Sequence, residues 1–177
     1  MGPVTRRLRA VLLVLAGWHG IGGVAWAAEP LEYAVKAAYL AKFPFYVEWP
    51  PTAFAAPGSP LNLCIVGDDP FGSAIDEAVA GQQVQGRTIN VRRMKTIARD
   101  AGCHIAYVGA DPRTEALRGG TVLVVTDGPN GGGIINFVLR DNKVRFTVDD
   151  EAAFQNGLSI SSKLLSVALS VRARGAR

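Results

Sequence analysis

The chain has 177 residues, of which 49% are hydrophobic and 19% charged, and its formal net charge is +4. This length and apolar content exclude intrinsic disorder, collagen and small disulfide-rich scaffolds, and they fit one domain with an ordinary hydrophobic core. Taken alone, the positive charge would favour a nucleic acid or an anionic membrane as partner, so the positions of the charges matter.

The first 27 residues have the pattern of a secretory signal peptide. Arg6, Arg7 and Arg9 precede an apolar run over residues 10–16, and a small-residue region ends in Ala25-Trp26-Ala27. Glycines interrupt the apolar run well before the roughly 20 residues of a membrane-spanning helix, so a membrane anchor is the weaker alternative. We therefore expect cleavage after Ala27 and export of residues 28–177 to the periplasm as one α/β domain.

Removal of the predicted signal peptide also removes most of the excess positive charge. It leaves 150 residues with 16 basic and 15 acidic side chains, and Arg172, Arg174 and Arg177 lie in the last six positions. The body of the exported domain is therefore slightly acidic, which argues against nucleic acid as a partner. Export also argues against cytosolic ATP-dependent roles and predicts an environment in which thiols oxidise.

The first predicted element of the domain is a helix from Leu31 to about Phe43. Apolar residues recur along it at three- and four-residue spacing and predict one buried stripe: Leu31, Ala34, Val35, Ala38 and Tyr39. Pro44 ends this helix, and we expect residues 45–49 to be kinked or extended. A proline-rich linker, residues 50–60, follows.

Short apolar strands then alternate with helices, which is typical of a parallel sheet covered on both faces. The predicted strands are 61–66, 88–94, 103–108 and 121–126, and the predicted helices are 71–79 and 111–118. Asp69 is the expected N-cap of the first of these helices, with Pro70 at its first position.

Beyond residue 133 the pattern changes to alternation of apolar and polar residues. Residues 135–140 and 143–148 alternate around Asp141-Asn142, which predicts a β-hairpin with one buried face. Helices over 151–155 and from 161 to about 171 complete the chain. The sequence thus predicts a three-layer α/β domain: a mostly parallel sheet, an added antiparallel hairpin and helices on both faces.

The two cysteines of the chain are Cys64 and Cys103. Cys64 lies inside the strand 61–66 and Cys103 begins the strand 103–108, and neighbouring strands bring Cα atoms close to the separation that a disulfide accepts. In an exported chain we favour a disulfide over two buried free thiols.

No catalytic, metal-binding or cofactor-binding motif stands out, and we expect no enzyme activity, metal or cofactor. His104 is the one histidine after residue 27, and its neighbour Cys103 points to the opposite face of the strand, so His104 is interpreted as a core or edge residue. A thiol enzyme built on Cys64 and His104 is the weakest alternative. The glycines at 131–133 are interpreted as a turn before a strand.

Aromatic residues are concentrated in twelve positions around the linker: Phe43, Phe45, Tyr46, Trp49 and Phe54. They either close one end of the sheet or form a surface for a partner. We favour packing against the sheet.

Six groups of short motifs occur in order over about residues 31–170: Ala37-Ala38-Tyr39-Leu40 with Phe45-Tyr46-Val47-Glu48-Trp49-Pro50; Leu61-Asn62-Leu63-Cys64-Ile65-Val66-Gly67-Asp68-Asp69-Pro70-Phe71-Gly72; Gly86-Arg87 with Val91-Arg92-Arg93; Cys103-His104-Ile105; Gly132-Gly133-Ile134-Ile135-Asn136-Phe137; and Asn156-Gly157-Leu158-Ser159-Ile160-Ser161-Ser162-Lys163-Leu164-Leu165. Each motif alone is weak, but the ordered set is specific. It resembles the YfiR family of bacterial periplasmic proteins.

This resemblance implies a small periplasmic repressor without enzymatic activity. Such a protein binds the periplasmic sensor region of a membrane-anchored diguanylate cyclase and holds it inactive, so that its release under envelope or redox stress raises cyclic di-GMP and promotes biofilm formation. The resemblance also implies a disulfide between Cys64 and Cys103, whereas the second cysteine pair of some members is missing here. A homodimer fits the same binding role.

For contacts with the partner, the family motifs point to apolar residues in the C-terminal half: Ile134, Phe137, Phe154, Ile160 and Leu164. Their pattern alone would assign them to the core. The alternative function, from a different class, is a periplasmic small-molecule binding module whose cleft lies near residues 67–71 and Asp127.

Overall fold

Helices and strands alternate along the residues that the computed structural model describes, which are 28–110, 117–129 and 131–175. The helices are α1 (Ala28–Lys42), α2 (Ser73–Val79), α3 (Asp150–Gln155) and α4 (Ser162–Val167). The strands are β1 (Val47–Glu48), β2 (Leu61–Val66), β3 (Gln83–Val84), β4 (Arg87–Met94), β5 (Ile105–Tyr107), β6 (Leu123–Asp127), β7 (Ile135–Arg140), β8 (Lys143–Asp149), β9 (Ser159–Ile160) and β10 (Ser170–Arg172). The signal-peptide prediction concerns residues 1–27, which lie outside the described residues.

Eight of these strands form one sheet in the order β10-β8-β7-β6-β5-β2-β4-β3. The strands from β4 to β7 in this order are parallel, and β7 turns back into β8 as an antiparallel hairpin. Asp141 and Asn142 make the hairpin turn with left-handed φ angles of 50° and 56°, which Asp and Asn tolerate better than other side chains. The predicted α/β sheet, mostly parallel with an added hairpin, is confirmed.

The two faces of the sheet carry cores of unequal size. Helices α1 and α2 pack against each other on one face and cover the larger core, in which Leu40 and Leu63 are fully buried. The smaller core on the opposite face surrounds Cys64 and includes Leu117. The helix predicted at 111–118 lies mostly outside the described residues, so a second helical layer remains a prediction.

The predicted start of α2 is wrong by two residues, and Asp69 is not its N-cap. The Asp69 carboxylate accepts the backbone N–H groups of Phe71 at 2.8 Å and Gly72 at 3.3 Å, which closes a local turn ahead of the helix. Gly72 then has a φ of 53°, outside the helical region, and the helix begins at Ser73. The side chain of Asp69 therefore stabilises the turn and leaves the helix uncapped by a side chain.

The last predicted helix is also only half correct. Helix α4 ends at Val167, and the chain forms β10, in which Val171 pairs in parallel with Val148 of β8. The N–H of Leu169 donates to the carbonyl of Phe146 at 2.8 Å on entry to this strand. The unpaired edge of β8 offers backbone partners to the chain, and this tertiary pairing overrides the local helical pattern.

Candidate functional site

Helix α1 turns the predicted buried stripe toward solvent. Leu31 is 67% exposed and Val35 37%, and Ala34 and Ala38 are exposed as well. We call these four residues the outer α1 face. The stripe prediction is wrong for all four, and only Tyr39, which is half-buried, packs its ring against the core.

The buried side of α1 carries a lysine. Lys36 has a residual exposure of 2%, and it lies beside the buried Ala37 and one turn before Leu40. Its ammonium donates to Asp127 at the end of β6 at 2.6 Å and to Glu32 one turn earlier in the helix. Burying this charge without partners would cost several kcal/mol, so the two carboxylates make it possible for Lys36 to lie on the side of α1 that faces the sheet.

The ion pairs keep Lys36 charged. Burial alone would lower the pKa of Lys36, but the hydrogen bonds and negative charges of Asp127 and Glu32 together outweigh it and raise the pKa above 10.5. Tyr107 at the end of β5 donates its hydroxyl to the same Asp127 oxygen at 3.0 Å. Burial and then the Asp127 charge raise the pKa of Tyr107, so its hydroxyl stays protonated and remains a donor.

These residues border a cleft of about 360 Å³ at the carboxyl ends of β2, β5 and β6. The chain passes from β2 to β4 on one side and returns to β5 on the other, so the cleft lies at the switch point where doubly wound sheets bind ligands. Asp68 and Pro70, from the loop after β2, line the same cleft as Asp127. The prediction that residues 67–71 and Asp127 lie at one cleft is confirmed. The presence of Lys36, Glu32 and Tyr107 at this cleft was not predicted from the sequence.

A second, more open depression runs along the outer side of α1. It has a volume of about 420 Å³ and is lined by Ala34, Val35, Ala38, Tyr39 and Lys42. On the same face of the sheet, Val171 of β10, which pairs with the buried Val148, is 38% exposed, and Leu169 just before the strand is 42% exposed. Apolar side chains of α1 and of the edge strand β10 thus remain accessible.

The five apolar residues predicted to contact a partner lie in two different environments. Ile134, Phe137, Ile160 and Leu164 are between 0% and 6% exposed and pack in the large core. Phe154 on α3 is 46% exposed, and the guanidinium of Arg174 lies 5.0 Å from its ring centroid. A protein that docks on the folded domain can therefore contact Phe154 directly, whereas the other four side chains are buried in the core and are not accessible to it.

The cysteines form the disulfide Cys64–Cys103, with a Cα–Cα distance of 5.9 Å. Adjacent to it in sequence, His104 accepts the N–H of Asn62 with Nδ1 at 3.0 Å, so the proton on Nε2 is donated to the carbonyl of Ala53 at 3.0 Å. Burial lowers the pKa of His104; the hydrogen bond to Ala53 opposes this shift and the Arg87 charge adds to it. The histidine is a neutral structural group, as interpreted from the sequence.

The aromatic residues around the linker divide between packing and exposure. Phe54 stacks on His104 with a ring-centroid distance of 4.4 Å, and Trp49 donates its indole N–H to the His104 carbonyl at 3.2 Å. Phe43 is fully buried, whereas Phe45 and Tyr46 are 46% and 37% exposed. The linker is therefore packed on the start of β5 through part of this set.

The glycine turn before β7 is closely packed. A Cβ atom at Gly131 would lie 1.8 Å from Oδ1 of Asn136 and 2.5 Å from Oγ1 of Thr126. These two side chains hydrogen bond to each other at 2.9 Å, and the Thr126 hydroxyl accepts the N–H of Gly133. Gly131 is required for this close approach, in agreement with a structural turn.

Within the described ranges, no cluster of three or more His, Cys, Asp or Glu side chains has the geometry of a metal site. None of the helices in the same ranges is long and apolar enough to span a membrane.

A family model described as YfiR/HmsC-like matches residues 33–169. The match extends from the second turn of α1 to the residue before β10 and includes both cysteines, Lys36 and Asp127. No curated protein shows significant similarity to the chain. Because the family model covers most of the sequence, the chain belongs to the YfiR/HmsC-like family.

Proposed function

We propose that this protein is a non-enzymatic periplasmic regulator that binds the periplasmic sensor domain of a membrane-anchored diguanylate cyclase and holds the cyclase inactive. It thereby lowers cyclic di-GMP signalling and biofilm formation. Membership of the YfiR/HmsC-like family supports the class of partner. The observation that carries a binding role is the outer α1 face, where Leu31 and Val35 are exposed beside the apolar depression along the helix.

The outer α1 face has the properties of a docking surface. Its apolar side chains lie on a helix whose opposite side is fixed by the ion pairs of Lys36, so partner binding needs no rearrangement of the helix. Ala34 and Ala38 allow close approach of another backbone, and Leu31 and Val35 provide the larger apolar contacts. The exposed side chain of Val171 lies on the same side of the sheet.

The biological role is tested by deleting the gene in a strain that expresses the cognate cyclase. We expect cellular cyclic di-GMP to rise and to return to its original level when the wild-type gene is restored. An unchanged level after deletion would overturn the proposed function.

The docking surface is tested by measuring binding of the purified protein to the cyclase sensor domain with calorimetry. Val35→Ser should weaken binding by at least about tenfold, the usual effect of losing a central apolar contact. Phe154→Ser, at an exposed apolar position on α3, is the matched variant. Loss of binding with Phe154→Ser alone would move the interface to α3 and reject the outer α1 face.

A second copy of the chain competes with the cyclase as occupant of the outer α1 face. Light scattering of the purified protein distinguishes the two. The proposed docking site is wrong if three results occur together: the wild-type protein is a dimer, Val35→Ser is monomeric, and both proteins bind the sensor domain equally. The outer α1 face then serves self-association.

A further inference from the structure

The cleft at the switch point has an excess of negative charge. Three carboxylates border it, those of Glu32, Asp68 and Asp127, and Lys36 contributes one ammonium. The ammonium is already paired with Glu32 and Asp127, lies 4.7 Å from the ring centroid of Tyr33, and has a side chain only 3% exposed. An anionic ligand would therefore meet carboxylates and would have no accessible cation to bind.

The carboxylates retain oxygen atoms that can accept further hydrogen bonds. Lys36 and Tyr107 both donate to Oδ2 of Asp127, and no described residue donates to Oδ1. The exposed carboxylate of Asp68 likewise has no donor among the described residues. Two acceptors, one at the end of β6 and one in the loop after β2, thus border one cleft, and hydrogen bonds from a cationic donor to a carboxylate are stronger than those between neutral groups.

The walls of the cleft are largely apolar. The ring of Tyr33 lines it together with Pro70 and Ala110, whereas Tyr107 is only 2% exposed and offers little surface to a ligand. Aromatic faces attract cations and accommodate the apolar stem that carries them. A volume of about 360 Å³ is in the range of small-molecule sites and is too small for a folded segment of a partner protein.

We propose that this cleft binds a small organic cation, a primary ammonium or guanidinium group on an apolar stem, with Asp127 and Asp68 receiving the charged group and Tyr33 and Pro70 contacting the stem. The site is separate from the outer α1 face, because it uses the opposite side of the same helix. Its existence does not depend on the proposed cyclase partner.

The test uses the exported protein purified from the periplasm and titrated at neutral pH. The probes are 2-phenylethylamine and its guanidinium analogue, with 2-phenylethanol and 3-phenylpropionate as neutral and anionic controls of similar size. Calorimetry and amide chemical shifts report binding, and we expect saturable binding of the two cations with shifts at residues 32–36, 68–70 and 107–110. The two controls should bind at least about tenfold more weakly, because they cannot form a charge-assisted hydrogen bond with a carboxylate.

Two variants with the same change of charge locate the site. Asp68→Asn removes a carboxylate that has no described ion pair, and should weaken binding of both cations by about tenfold without loss of the fold. Asp141→Asn, at the distant hairpin turn, should leave binding unchanged. Equal affinity for all four probes, equal effects of the two variants, or no saturable binding of either cation up to about 10 mM would each overturn the proposal.

Discussion

The spacing of apolar residues predicts that one side of helix α1 is buried, but that side is exposed and the opposite side is buried. The inner side buries the charged Lys36 together with Ala37 and Leu40, whereas the outer side exposes Leu31 and Val35. The ion pairs with Glu32 and Asp127 compensate for the burial of the Lys36 charge. Apolar residues at three- and four-residue spacing also occur on the inner side, at Ala37, Leu40 and Ala41, so spacing alone offers two candidate sides, and the inner one is buried.

The largest expected effect is the loss of the buried charge on the inner side. Lys36→Met leaves Glu32 and Asp127 without their cation and should lower the free energy of unfolding by about 3–5 kcal/mol. Lys42→Met, which changes an exposed lysine of the same helix, should change it by less than about 0.5 kcal/mol. Urea denaturation measures both, and equal effects would show that the ion pairs do not stabilise the fold.

The next largest expected effect on stability comes from truncating an apolar side chain on the inner side of α1, compared with one on its outer side. Leu40→Ala removes a fully buried side chain and should cost about 2–5 kcal/mol of unfolding free energy, including the cavity left behind. Leu31→Ala should change it by less than about 0.5 kcal/mol, because Leu31 is 67% exposed. If the two leucine variants are equally destabilised in thermal and urea unfolding, the outer side is covered in solution.

A smaller, pH-dependent effect distinguishes Lys36 from His104, which is also buried. The pKa of His104 is lowered from 6.5 in the fold, so the unfolded chain takes up a proton below about pH 6.5 that the folded protein does not. Stability should therefore fall as the pH decreases from 6.5, with a slope of at most about 1.4 kcal/mol per pH unit.

The contribution of Lys36 has the opposite sign because its pKa is raised. It is fully present below pH 10.5 and is lost only as the pH rises above that value. Denaturation from pH 5 to 8 should thus show a shallower slope for His104→Gln than for wild type, and an unchanged slope for Lys36→Met. Parallel curves for wild type and His104→Gln would show that another group titrates on folding.

The smallest expected change in stability is at the outer α1 face. Val35→Ser should alter the free energy of unfolding by less than about 0.5 kcal/mol, because the position is already accessible to water. A thermal melt of the purified variant measures this change. Strong destabilisation would mean that Val35 packs within the domain, and loss of cyclase binding could then not be attributed to the surface.

The sheet was predictable because its signals are local. Leu61–Val66 and the strands of the hairpin have short apolar or alternating patterns, and Asp141-Asn142 supplies a turn that few other residues favour. The pairing of Cys64 with Cys103 follows from strand order, which the alternation of helices and strands limits to a few possibilities.

The burial of Lys36 was not predictable in the same way, because its partner Asp127 lies 91 residues away. Glu32, four residues before Lys36, was a local signal for a charge pair, but it could not show that the pair is buried. The strand β10 was missed for a similar reason, since the edge of β8 that it completes is formed only in the folded sheet.

The disulfide also determines how proteolytic cleavage of the domain can be detected. Cys64 and Cys103 enclose the crossover through α2 and β4 as well as the exposed segment around Lys95 and Asp100. A protease that cuts this segment leaves two fragments joined through the sulfur atoms. Such a nicked protein has nearly the mass of the intact chain until a reductant is added, so the integrity of a preparation used for binding studies must be assessed under reducing conditions.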